Sequence, residues 1–226
     1  VPSSPANARN DAIYIAVMGD LVDSEKRRVR AHEALNSAVD AANVLFHGII
    51  ASPLTITLGD EFQGLLRSYA AAAKVVRHVR YGLLARDVDC RFALGPVQLE
   101  TPLNVAKAWN MAGEGLAATR DALMHKSGSA SYRFLLPSDE VAETLINGLT
   151  HAIAQIEAGW TSRQRVYALA ELFHGAQSVA DVAAALKISR SVAYKLRRAA
   201  RLDDYLDYWS AIEFALVRLD SRRGLT

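Results

Sequence analysis

One stretch constrains this chain more than any other: Thr55-Ile56-Thr57-Leu58-Gly59-Asp60-Glu61-Phe62-Gln63-Gly64-Leu65-Leu66. Ile56 and Leu58 alternate with Thr55 and Thr57, the period of a half-buried strand. Phe62 to Leu66 reads as the returning strand. Gly59 supplies the backbone freedom of a hairpin turn, and Asp60 tolerates turn geometry. The spacing therefore predicts two adjacent carboxylates, Asp60 and Glu61, at a hairpin tip.

A further acid matches them. Tyr14-Ile15-Ala16-Val17-Met18 is an apolar run of strand length that ends in Gly19-Asp20. If that strand lies beside the hairpin, Asp20 and Asp60 meet at one end of a sheet. Carboxylates brought that close repel unless a cation lies between them. Mg²⁺ takes one or two carboxylates plus substrate phosphates. Asp20, Asp60 and Glu61 are thus the candidate metal ligands, with Mg²⁺ as the expected ion. The bland reading of the same residues is a plain turn and an unrelated strand-end acid.

Composition narrows the class. Of 226 residues, 51% are hydrophobic and 22% charged, enough for one large domain or two small ones with a real core. The formal net charge is +2, so any nucleic-acid patch is local. The single cysteine, Cys90, rules out an internal disulfide and a cysteine-based zinc site, and reads as a buried thiol. No apolar run has the length of a membrane span, and no signal-peptide pattern opens the sequence. The expectation is a cytoplasmic protein with no membrane partner.

Read in order, residues 1–12 form a loose tail. The first strand covers about Ile13 to Met18. Asp23 or Ser24 caps a helix running to about Phe46, with an apolar stripe at Val29, Leu35, Val39 and Ala42. Lys26, Arg27 and Arg28 at its start oppose the helix dipole, a cost that phosphate binding would offset; a solvated charged face is the plainer account. After the hairpin, Tyr69 to Leu84 is helical. A strand from Arg91 stops at Gly95-Pro96, and Val97, Leu99 and Thr101 suggest another short one. Asn110 to Glu114 is a loop, Gly115 to His125 a small-residue helix carrying Arg120, Lys126 to Ser129 a turn, and Tyr132 to Leu136 a strand. Ser138 then caps a helix reaching about Ala158. This order suits an α+β sandwich over residues 13–158 with helices on one face.

Leu58-Gly59-Asp60-Glu61-Phe62 resembles the signature loop of GGDEF-type diguanylate cyclases, with Leu58 at the first glycine. Those domains, the class III nucleotide cyclases and polymerase palms share a ferredoxin-like core in which one acid ends the first strand and another sits in the central hairpin. Asp20 and Asp60 take those positions here. From Tyr14 through Ser24 and from Thr57 through Leu65 the chain is similar to the bacterial SatD family, as is Gly113-Glu114-Gly115-Leu116-Ala117-Ala118-Thr119-Arg120. The resemblance implies a ferredoxin-like, cyclase-like fold and a nucleotide site. Asp23, Ser24, Gly59 and Arg120 are the candidate nucleotide contacts. No catalytic residue is assigned.

From Gly159 the character changes, and residues 159–226 read as an all-α helix-turn-helix domain. Thr161 or Ser162 caps a helix with Val166, Leu169, Ala170 and Phe173 on one face, ended by His174-Gly175. Ser178 caps a second helix to Leu186. Ser189 caps a third, about Arg190 to Arg201, after a short turn. Lys187 stands where such turns usually carry glycine, which implies a positive φ. Six bases and no acid fall between Lys187 and Arg201. Ser189, Arg190, Ser191, Tyr194, Lys195, Arg198 and Arg201 are the candidate DNA contacts. A solvated basic helix is the alternative. The last helix, Asp203 to about Leu219, carries more apolar surface than a short bundle needs, and packs on the first domain or on a second copy in a homodimer.

The sequence thus points to a DNA-binding transcriptional regulator whose palm-like domain senses a nucleotide. Its rivals are a metal-dependent cyclase or nucleotidyltransferase using Asp20 and Asp60, and a catalytically inert interaction protein.

Overall fold

The computed structural model describes residues 12–22, 28–57, 59–124, 131–174 and 178–225. The expectations for the tail, for Asp23, Ser24, Lys26, Arg27 and Leu58, for the turn at Lys126 to Ser129 and for Gly175 lie outside them. The described elements are β1 (Ile13–Leu21), α1 (Arg28–Leu45), β2 (Ile50–Ile56), β3 (Glu61–Leu66), α2 (Tyr69–Leu84), β4 (Cys90–Leu99), β5 (Gly113–Glu114), α3 (Leu116–Met124), β6 (Tyr132–Phe134), α4 (Glu140–Ala158), α5 (Ser162–His174), α6 (Val179–Ala185), α7 (Arg190–Ala199) and α8 (Leu202–Arg223).

The sheet runs β2-β3-β1-β4-β5, with β6 also on β4. Its first four strands are antiparallel neighbours and β6 is parallel to β4, so the sheet is mixed. With α1 and α2 as crossovers, β1 to β4 form the βαββαβ arrangement of the ferredoxin-like motif. Strand parity divides the core. Ile15, Val17 and Leu21 join Phe62, Leu66, Phe92 and Leu94 under α1 and α2. Tyr14, Ala16 and Met18 join Leu65, Ala93, Val97 and Leu123 on the opposite face, under α3. Helices therefore cover both faces, not one as the sequence suggested.

Other details also differ from the sequence reading. β4 passes straight through Gly95-Pro96. Phe92 N–H donates to Ser131 O, away from β1, so by alternation the position of Pro96's missing N–H also faces away from β1. That point falls between the residues paired to β6 and those paired to β5, where no ladder bond is lost. The N-cap of α4 is Asp139, one residue beyond Ser138. In α1 the buried stripe is Ala31, Ala34, Leu35, Ala38, Val39 and Ala42, whereas Val29 is 74% exposed. Edge strand β2 is irregular around Pro53, and Asn43 of α1 compensates by bonding both the N–H and the C=O of Leu54.

The C-terminal helices pack on α2 and α4 through α8 and α5. Both Asp220 carboxylate oxygens accept the N–H groups of Tyr69 and Ala70 at 2.9 Å, capping α2 from the far end of the chain. Deeper in, Glu157 of α4 meets the Arg80 guanidinium at 2.8 Å and accepts the hydroxyls of Tyr132 and Tyr205 at 2.9 Å each. Burial pushes both tyrosines well above their ordinary titration range, so they stay donors. Replacing Arg80 by Met leaves the buried Glu157 carboxyl without its guanidinium partner, and should destabilise the fold by about 3–5 kcal/mol in urea unfolding.

His78 of α2 lies edge-on between Phe46 and Phe173. Burial lowers its pKa. The unfolded chain therefore binds a proton that the folded chain resists, and stability falls as pH drops below about 6.5. His78→Leu should flatten that part of a stability-versus-pH profile measured by denaturant midpoints.

Candidate functional site

The polar end of the sheet is fixed by register. Asp20 lies opposite Glu61 on β3 and opposite Arg91 on β4. All three share the parity of Tyr14, Ala16 and Met18, so they stand on the α3 face. Opposed carboxylates on neighbouring strands repel. Two guanidinium groups relieve this: Arg91 pairs with Asp20, and Arg120 of α3 reaches Glu61 at 3.2 Å.

The hairpin tip is held from two sides. Leu21 N–H donates to Asp60 O at 3.0 Å, so the backbone of Asp60 lies beside the end of β1. His32 Nδ1 lies 2.7 Å from Gly59 O, tying the tip to α1. Gly59 has φ +81°, the left-handed geometry for which a glycine is needed. In the ladder the residue opposite Asp20 is Glu61, because β3 begins at Glu61 and Asp60 lies in the bend before it.

α3 is brought down by close backbone approach. A Cβ on Gly115, at φ +95°, would lie 2.0 Å from Pro96 O, and one on Gly95 would lie 2.4 Å from Thr119 Oγ1. These contacts let α3 lie close on β4 and carry Arg120 to Glu61. The loop before it is fastened across β2 and β3. Gln63 Nε2 donates to Ala108 O at 2.6 Å, Ala108 N–H to Thr55 Oγ1 at 2.9 Å, and Ser52 Oγ to Asn104 O at 2.5 Å. Between this roof and the sheet lies a cavity of about 200 Å³ lined by Ala16, Met18, Gln63, Leu65, Met111, Ala117 and Arg120, among others.

Asp20, Asp60, Glu61, Gly59 and Arg120 are therefore brought to one end of the sheet. Sequence reasoning missed Arg91, Gln63 and His32. Arg91 and Gln63 alternate in phase with Ala93 and Leu65, but only the register shows that they flank Asp20 and the cavity. Among the described residues no group of three His, Cys, Asp or Glu side chains is gathered as a ready metal cage. The donors are hard carboxylate oxygens, which fit Mg²⁺ when phosphate oxygens complete its shell.

Cys90 is buried, and burial pushes its thiol pKa up, as befits a structural thiol.

In the C-terminal helices, Ser178 and Asp181 form a reciprocal capping box and Ser189 caps α7, its hydroxyl accepting Val192 N–H. Lys187 has φ +54° in the turn between them. Arg190, Ser191, Tyr194, Lys195 and Arg198 are exposed. Two bases of the stripe are engaged: Arg197 turns inward to Glu171 and Asp203, and Arg201 pairs with Asp204.

The fold and site thus define an α+β protein of ferredoxin-like strand order with an acid-and-arginine row at one sheet end. The chain belongs to the SatD family, whose model matches residues 14–209. No curated protein matches it. Among solved structures it is similar to the guanylate cyclase domain of RhGC from Catenaria anguillulae in complex with GTP, at 14% identity and TM-score 0.37, covering 50% of this chain and 72% of that one. It is also similar to the guanylyl cyclase Cya2, at 8% identity and TM-score 0.38, covering 56% and 76%. A third is the monomeric guanylyl cyclase domain of the RhoGC fusion protein from Blastocladiella emersonii, at 13% identity and TM-score 0.34, covering 50% and 74%. Among the described residues no helix is long and apolar enough to cross a membrane.

Gly115→Ala should destabilise the protein by more than about 1 kcal/mol, because both its φ and the Pro96 carbonyl oppose a Cβ. Hydrogen exchange should then rise in α3 before it rises in β1.

Proposed function

We propose that this chain is a nucleotide-responsive DNA-binding regulator. The sheet end takes a phosphorylated nucleotide with Mg²⁺, and the exposed face of α7 takes duplex DNA. The row Glu61–Asp20–Arg91, with Arg120 reaching Glu61, carries the first half of this reading. Carboxylates supply hard donors for the ion, and planar guanidinium groups suit phosphate oxygens. Asp20, Asp60 and Glu61 would hold Mg²⁺, which when bound supplies the charge that lets acids and phosphates share the site. Arg91 and Arg120, paired with acids here, would then turn to phosphate. Gly59 at the tip, with Asp23 and Ser24 just after β1 in sequence, complete the proposed contacts.

The DNA half is supported by the short turn at Lys187, the capped start of α7 and its exposed bases. The N-terminal part of such a helix enters the major groove. Arg190 or Ser191 would read a base, with Tyr194 and Lys195 alongside. Arg198 would meet phosphate, and Arg201 would join it by exchanging Asp204 for the backbone. Ser189 acts by capping the helix. Phe214 and Val217 on α8, 66% and 51% exposed, are the apolar surface left for a homodimer.

Fluorescence anisotropy on duplex fragments tests the DNA reading. Arg190→Ala should cost about 1–3 kcal/mol on the specific site. Arg198→Ala should weaken all sequences alike and lower the salt slope by about one. Absence of salt-sensitive binding to any duplex at low ionic strength would contradict the regulator. Pyrophosphate release from a triphosphate with Mg²⁺, lost in Asp60→Asn, would instead establish the cyclase or nucleotidyltransferase reading.

A further inference from the structure

A roofed cavity lies beside the acids and arginines proposed to take phosphate and metal. Its floor is the sheet, at Ala16, Met18, Gln63 and Leu65, and its roof is Met111, Leu116 and Ala117. Apart from Gln63 and Arg120 these walls are apolar. At about 200 Å³ the cavity falls below the roughly 300–1,000 Å³ of sites that enclose a whole drug-sized ligand, so it suits one ring system.

The lining is specific in kind. The chain has three methionines, and two of them, Met18 and Met111, face this cavity from floor and roof. Thioethers are polarizable, adapt their shape and pack well on aromatic rings. Gln63 supplies the one amide. Its Nε2 faces Ala108 O, which only a donor can do, so its orientation is fixed. One N–H of that amide and its carbonyl oxygen remain to pair with a ring edge. A glutamine presenting one donor and one acceptor pairs with an adjacent donor–acceptor edge of a base, such as N7 and the N6 amino group of adenine or O6 and N1–H of guanine. Gln63 lies two residues along β3 from Glu61, on the same face. Arg120 both lines the cavity and pairs with Glu61.

We infer that this cavity is a base pocket, with Gln63 reading the edge of the nucleobase, Met18 and Met111 on its faces, and the attached phosphates leading past Arg120 toward Asp20 and Glu61. This rests on the nucleotide reading proposed above and adds to it the place of the base and the residues that hold it.

Isothermal titration calorimetry of the full chain separates the two claims. A nucleoside, which has no phosphate, probes the cavity; Mg²⁺ tripolyphosphate, which has no base, probes the acids and arginines. A purine nucleoside, adenosine or guanosine, should bind at least tenfold more tightly than ribose, which has no base. Gln63→Leu should weaken nucleoside binding at least tenfold, and Ala117→Leu, which fills the cavity, should abolish it, with melting curves confirming that both variants fold. Nucleosides binding no more tightly than ribose, or binding that Ala117→Leu leaves intact, would overturn the base pocket. Tripolyphosphate binding without any nucleoside binding would overturn the base pocket and keep the phosphate site. Binding of neither would overturn both.

Discussion

The Arg80–Glu157 pair is the interaction on which the assembly of the layers depends. It joins α2 to α4, and the two tyrosine hydroxyls on Glu157 bring in β6 and α8. Two buried charges are costly to desolvate and hold together only when geometry and hydrogen bonds are complete. Here Arg80 also meets Asp89 and Cys90 O. The pair admits one arrangement of these elements, since sliding any of them strands a buried charge. Arg77 extends the network by donating to Tyr81 and Glu213. Asp220, capping α2, fixes the far end of α8 in the same way.

That anchoring leaves the other face of the sheet for the site. The side of β1 under α1 and α2 is a packed apolar core; the α3 side has a smaller core and, at its end, Asp20, Glu61 and Arg91 in one row. α3 reaches this row because glycines at 95 and 115 let it lie close to β4. Arginine–carboxylate pairs keep the row neutral until something with both cationic and anionic groups competes. A Mg²⁺-bound phosphate has that composition, and the adjacent apolar cavity extends the same logic to the base.

Much of this was legible in the chain, for physical reasons. The hairpin was visible because period-two alternation and Gly59 act locally. The caps at Ser178 and Ser189 and the positive φ at Lys187 were visible because they depend on neighbouring residues only. The acid at the end of β1 was legible from its apolar run. Arg91 and Gln63 were not, because their role comes from register, a property of strand pairing rather than of either segment. Pro96 misled for a related reason: a proline ends a strand unless its nitrogen faces a gap, and the gap is set by where β5 and β6 pair. Arg197 looked like part of the basic face until Glu171 and Asp203, on two other helices, turned it inward. The cover of α3 on the second face was hidden because its apolar stripe is short.

The central claim is that the acid-and-arginine row is a metal–nucleotide site. Its most direct test is a crystal grown with Mn²⁺ and a nucleoside triphosphate, read by anomalous scattering. The account predicts an Mn²⁺ peak bound by Asp20 and by Asp60 or Glu61, with Arg91 and Arg120 turned from the acids to phosphate oxygens. Nucleotide density elsewhere, with Asp20 still on Arg91 and Glu61 still on Arg120, would contradict it.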